Sequence, residues 1–110
     1  MFIIMFIINI VLINNFLVVV AVCTAEAYDM KRLLTSFSPV FPGTFQMSED
    51  VIYVKIPRNK GDGDFSSQAE VFVFSDGCCV LWGAQRDISV LYSTFKEKLK
   101  PFERKGNYRL

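Results

Sequence analysis

The chain has 110 residues, enough for one domain with a small core. Twelve basic residues stand against eleven acidic ones, so the overall balance gives no reason to expect polyanion binding. There is no histidine, which removes together the commonest general base and the commonest transition-metal ligand, and three cysteines, two of them adjacent, fit a reducing intracellular compartment better than a secreted disulfide framework.

The first 25 residues carry no charge. Met1 to Val22 is apolar apart from Asn9, Asn14 and Asn15, and a continuous helix of that length would run about 33 Å, enough to span a bilayer core. No basic residue precedes this segment, as a secretory signal would require, and it lacks the arginines and serines of a mitochondrial transit peptide. Lys31 and Arg32 follow it and would hold the C-terminal part on the cytoplasmic or matrix side. A second reading competes. Phe16 to Cys23 is rich in β-branched residues and preceded by Asn14-Asn15, which suits a buried strand over Leu17–Cys23. Met1 to Ile13 alone would then be too short to span.

Thr24 suits a helix N-cap, with Glu26 in the first turn to complement the helix dipole. Ala27, Met30, Leu33, Leu34 and Phe37 recur at steps of three and four, which predicts an amphipathic helix over 25–37 that the Pro39–Gly43 stretch ends. Asp50 to Ile56 alternates, with Val51 and Tyr53 opposite Ile52, Val54 and Ile56, and reads as a strand stopped by Pro57. Arg58 to Gln68 is a polar connection. Its Gly61-Asp62-Gly63-Asp64 run lacks both the closing glutamate of a calcium loop and the Lys-Ser/Thr of a phosphate loop, and reads as a mobile link.

Glu70 to Gly83 is the centre of the reading. Two apolar runs flank Asp76-Gly77, a dipeptide suited to a two-residue type I′ turn. That turn would set Phe74 opposite Cys79, Val73 opposite Val80, Phe72 opposite Leu81 and Val71 opposite Trp82. One face would then carry Val71, Val73, Val80 and Trp82, and the other Phe72, Phe74, Cys79 and Leu81. At ~1.5–3 kcal/mol for each large side chain buried, both faces should be covered. After the hairpin, Arg86-Asp87 opens a second helix over 86–100 with Asp87 as N-cap. Ile88, Leu91, Tyr92, Phe95 and Leu99 form its apolar stripe, Pro101 ends it, and Phe102 is free to fold back. The order β-α-β-β-β-α gives the fold class: α+β, a mainly antiparallel sheet with a central hairpin (70–83) and two amphipathic helices (25–37, 86–100) packed on it.

No constellation carries chemistry. Cys78 and Cys79 project to opposite faces of a regular strand, and three sulfurs without histidine make a poor zinc site, so all three cysteines read as small hydrophobes. Glu70 and Asp76 sit at a strand start and a turn, where polar residues belong. Tyr28 and Asp29, with Lys31 and Arg32, read as a solvated helical face. Lys96 to Arg109 holds six basic and two acidic residues, a local excess of +4, and reads as the wet face of a helix and its tail, with RNA, ribosome or acidic-membrane contact as the other reading. No catalytic, cofactor-binding or metal-binding residue is assigned, no cofactor is expected, and the chain is read as not an enzyme.

Two separated stretches resemble a known family. Cys23-Thr24-Ala25-Glu26-Ala27-Tyr28-Asp29-Met30-Lys31-Arg32-Leu33 is similar to the strand-to-helix entry motif of the required-for-meiotic-nuclear-division, or Sad1-interacting-factor, family, also called domain of unknown function 155. Glu70-Val71-Phe72-Val73-Phe74-Ser75-Asp76-Gly77-Cys78-Cys79-Val80-Leu81-Trp82-Gly83 resembles that family's second signature, and Leu99-Lys100-Pro101-Phe102-Glu103 its segment closing the next helix. The resemblance covers about Cys23 to Glu103 and favours the strand at Leu17–Cys23, since the family runs a strand into the Thr-Ala-Glu turn.

The resemblance implies a mitochondrial, membrane-associated protein whose relatives support mitochondrial translation by holding ribosomes at the inner membrane as homo-oligomers. It carries over no catalytic residue. The apolar Met1–Ile13 stands where the family has a basic polar presequence, and Leu110 stands where the family continues into long helices and a membrane span, so the expectation is a truncated member. Its parts are an apolar leader at 1–15, translated from non-coding sequence or serving as a membrane segment, the family domain at 16–104 and a tail at 105–110. The expected function is a non-enzymatic scaffold or interaction domain on the matrix side or inner membrane of the mitochondrion. Its expected partners are proteins, the mitochondrial ribosome among them, a second copy of itself, and a membrane through residues 1–22, with nucleic acid not bound directly. The alternatives are a small single-span membrane protein with a soluble tail, on another intracellular membrane, and an enzyme using the Gly61–Asp64 loop.

Overall fold

The structure, a computed structural model, describes residues 4–12, 15–23, 25–56, 69–84 and 86–104. Its strands are β1 (Ile4–Leu12), β2 (Asn15–Cys23), β3 (Ala27–Tyr28), β4 (Phe45–Ser48), β5 (Val51–Ile56), β6 (Ala69–Phe74), β7 (Cys78–Ala84) and β8 (Glu103–Arg104). Its helices are α1 (Met30–Val40) and α2 (Ile88–Leu99), the latter running into a single 3-10 turn at Lys100–Phe102. Six strands form one antiparallel sheet in the order β1-β2-β7-β6-β5-β4, and β3 and β8 pair separately at one end. The fold is α+β with a mainly antiparallel sheet.

Residues 4–12 and 15–23 are two paired strands, from Ile4↔Cys23 to Leu12↔Asn15, and not one helix. The continuous membrane helix over Met1–Val22 is therefore corrected: Ile4–Leu12 is the edge strand of the main sheet. The physical reason is composition: isoleucine and valine branch at Cβ and favour the extended chain, while an all-apolar run carries no periodicity to tell strand from helix. Among the described residues, no helix is long and apolar enough to cross a membrane.

The hairpin register differs from expectation by one residue. Val71 faces Leu81, Phe72 faces Val80 and Val73 faces Cys79, so the loop is the three residues Ser75-Asp76-Gly77. Gly77 N–H donates to the Phe74 carbonyl (3.1 Å), and Gly77 takes φ 93°, the left-handed position of a three-residue hairpin loop. A one-residue slip exchanges the partners on each face. The inner face now carries Val71, Val73, Cys79 and Leu81, all buried, and the outer face Phe72, Phe74, Val80 and Trp82, all half-buried.

The loop is held from both sides. Ser75 N–H donates to the Asp50 carbonyl (2.9 Å) and its hydroxyl to Asp50 Oδ1 (2.8 Å), while Ala25 N–H donates to the Gly77 carbonyl (3.2 Å) and Tyr28 N–H to the Ser75 carbonyl (3.1 Å). This last pairing moves the first helix. Ala27 and Tyr28 pair with Arg104 and Glu103, Asp29 N–H donates to the Phe102 carbonyl (2.8 Å), and α1 starts at Met30 with the Asp29 carboxylate accepting from Arg32 N–H (3.3 Å). Long-range strand pairing overrides the helical spacing that begins at Ala27, and the helix expected over 25–37 occupies 30–40, with Pro39 in its last turn rather than beyond it. The second helix is correspondingly shorter than 86–100: Ile88–Leu99, with Asp87 at the N-cap position and Pro101 inside the 3-10 turn.

Both helices lie on the inner face. Leu33 and Phe37 of α1 and Leu91, Phe95 and Leu99 of α2 are buried with Val22, Ile52, Val54, Val71, Val73 and Leu81 of the sheet. Phe102 folds back and meets Phe37 edge-on at 5.8 Å, and Phe37 meets Phe95 at 6.0 Å. A β-carbon at Gly77 would overlap the carbonyl oxygen of Ala25 in addition to the positive φ. Gly77→Ala should therefore lower unfolding free energy by about 2 kcal/mol or more. Urea titration checks this, and an unchanged midpoint would remove the loop from its role in setting register.

Candidate interaction surface

The outer face of the sheet has no described element over it. The registers place Phe45 beside Tyr53, Tyr53 beside Phe72, Phe72 beside Val80 and Val80 beside Ala21, an apolar row straight across five strands. The rings touch: Phe45 and Tyr53 lie 5.1 Å apart at their centroids, Tyr53 and Phe72 5.2 Å. Phe45, at the end of the row, is 53% exposed. Trp82, Phe74, Val51 and Val19 extend the same face, half-buried among one another.

Glu70 and Lys55 are its charged members, paired in register on β6 and β5. The Tyr53 hydroxyl donates to Glu70 Oε2 (2.7 Å), which ties the polar rim to the aromatic row. Burial, helped by the hydrogen bond and negative charge of Glu70, pushes the Tyr53 phenol up to about 12, so it stays protonated at neutral pH. The Glu70 carboxylate serves this bond.

The remaining sequence candidates are placed elsewhere. Tyr28, expected on a solvated helical face, is buried in β3 at 3% exposure, because the β3–β8 pairing draws it in. Asp76 Oδ1 accepts from Cys78 N–H (3.3 Å), as a turn residue does. Lys96, Lys98, Lys100 and Arg104 are exposed, with Lys96 over the Tyr92 ring (5.9 Å) and Lys98 over Phe41 (5.8 Å). The Gly61–Asp64 run and residues 105–110 lie outside the described residues. No group of three or more Cys, Asp or Glu side chains among the described residues could hold a metal ion.

The cysteines need correction. Cys79 is buried on the inner face, and burial pushes its thiol up to about 12, far from the thiolate that a nucleophile needs. Cys23 and Cys78, however, are register partners on β2 and β7 and form a disulfide. They are not small unpaired hydrophobes. Sequence placed Cys78 and Cys79 on opposite faces, but the adjacency of β2 and β7 depends on a crossover over 55 residues.

Two outcomes follow. The chain-entropy cost of a cross-link spanning 55 residues is about 4 kcal/mol, so dithiothreitol should lower the stability of the native chain by roughly that amount. It should not affect a Cys23→Ser/Cys78→Ser variant, and calorimetry compares the two. Tyr53 and Cys79 have folded-state values raised to about 12 from 10.0 and 9.0, so their contribution is complete below pH 9 and falls as pH rises towards 12. Unfolding midpoints should drop across that window, less steeply for Tyr53→Phe and Cys79→Ala, and parallel slopes in all three would refute the assignment.

The chain was compared with protein-family models, curated proteins and solved structures, and none of them matches it.

Proposed function

We propose that this chain is a non-enzymatic protein-interaction domain, a scaffold that works at the mitochondrial inner membrane or matrix side in support of translation. The single observation that carries the interaction reading is the row Phe45–Tyr53–Phe72–Val80, an apolar sheet face that no described element covers and on which Glu70 and Lys55 are the charged members among the described residues. Apolar surface of this kind, rimmed by polar groups, marks a protein contact. Phosphate binding would need clustered cations, and among the described residues this face carries Lys55 beside Glu70, so the reading for this face is a protein partner. The mitochondrial part rests on the resemblance of Cys23–Leu33 and Glu70–Gly83 to the required-for-meiotic-nuclear-division family.

Cys79 is a buried thiol, Tyr53 is held protonated, and Glu70 is engaged with it. The experiment is capture from a mitochondrial lysate by the tagged chain. Inner-membrane or ribosomal proteins should be recovered, and Phe45→Ser/Phe72→Ser should lose them at least tenfold while the far-ultraviolet spectrum is unchanged. Recovery of neither class, or equal recovery by the variant, would overturn the proposal.

A further inference from the structure

The bond between Cys23 and Cys78 lies on the same side of the sheet as the aromatic row. Cys79 is buried on the inner face, so Cys78 before it points outward, and Cys23 is its register partner on β2. Phe74 and Cys78 flank the hairpin loop, and along the two strands Ala21 and Val80 of the row stand two residues from the bonded pair. Both bonded residues are half-buried and no described element covers them, which leaves the bond open to attack by a thiol from solution, as labile disulfides are. Three features let it open and close without disturbing the core. The β2–β7 ladder runs from Leu17↔Ala84 to Cys23↔Cys78, and beyond it Ala25 N–H donates to the Gly77 carbonyl, so two free thiols would stay neighbours. The buried residues and both helices pack on the opposite face. The third thiol, Cys79, is buried there too, with its ionisation pushed up to about 12, and does not compete for either sulfur.

We propose that the Cys23–Cys78 bond is a redox switch of the outer face, closed in the oxidised chain, opened by a thiol reductant, with partner binding strongest when it is closed. In the opening step one thiolate of the reductant attacks a sulfur of the pair and forms a mixed disulfide, while the other protein sulfur leaves. A second thiolate then attacks the reductant's sulfur in that mixed disulfide and releases the second cysteine. Two electrons pass to the protein sulfurs, the protons of the two attacking thiols end on Cys23 and Cys78, and the reductant departs as its own disulfide. Opening removes the covalent tie at the end of the β2–β7 seam, so the margin of the face carrying Ala21 and Cys23 is no longer locked against Val80 and Cys78. A surface less fixed in its binding shape binds less tightly. That the face binds at all rests on the scaffold reading; the chemistry of the bond does not.

The native chain, equilibrated in glutathione buffers from oxidising to reducing, pulsed briefly with iodoacetamide and weighed by mass spectrometry, tests the switch. It should pass from no adduct to two adducts as the buffer becomes reducing, on Cys23 and Cys78 with Cys79 unlabelled, and material returned to the oxidising buffer before the pulse should again take none. No adduct at the reducing end, a third adduct appearing in step with the first two, or failure to return would each overturn it. Capture from the mitochondrial lysate is then compared between the oxidised native chain and a Cys23→Ser/Cys78→Ser variant, which is held open. The variant should recover about fivefold less or lower still, a fall in the range of ordinary couplings between sites, and a thiol reductant should lower capture by the native chain and leave that by the variant unchanged. Equal capture in both states would overturn the control of binding. Capture of nothing by the oxidised chain would sink the scaffold reading and that control with it, while the adduct count decides the chemistry of the bond in either case.

Discussion

The three-residue loop Ser75-Asp76-Gly77 is the constraint on which the rest of the fold depends. Its length decides which residues of β6 and β7 share a face, and its backbone is tied to the start of β5 through Asp50 and to the exit of β2 through Ala25 and Tyr28. Since side chains alternate with a period of two, one residue more or less would bring Val80 and Trp82 under the helices in place of Cys79 and Leu81. The inner face is closely filled: Leu33, Ile52, Val54, Val71, Val73 and Leu81 are 0% exposed. Trp82 has no room there. The loop thus selects which apolar set becomes core and which is left as surface.

The elements legible in the sequence are those whose pattern is local. Alternation in Val51–Ile56 and in the two runs around Gly77, and the 3–4 spacing of Ile88, Leu91, Tyr92, Phe95 and Leu99, each survive because the same residues are buried in the structure or packed against its core. The failures share a cause. Ala27 fits a helical stripe, yet its backbone and that of Tyr28 pair with β8 some 75 residues away, a partner no window of sequence reveals. Ile4–Leu12 is apolar apart from Asn9, and one polar residue sets no period to read. The hairpin register turned on whether Ser75 belongs to strand or loop, and its bonds to Asp50 decide that from outside the hairpin.

The candidate surface was half legible. That both hairpin faces are apolar is plain in the residues, and the inference that both need cover is sound physical chemistry. What sequence could not say is that both helices would choose one side. α1 and α2 meet on the same face where Phe37 packs edge-on against both Phe95 and Phe102, and this aromatic cluster joins the two helices over the sheet. The other side is then left with Phe45, Tyr53, Phe72 and Trp82, with no described element over them.

The bond between Cys23 and Cys78 turns the intervening chain into a covalent ring that contains α1, β4, β5 and β6. β7 and α2 leave the ring at one end and β2 at the other. A protease that cuts anywhere between those two sulfurs would open the ring without parting the molecule, so both fragments would travel as one species until a reductant frees them.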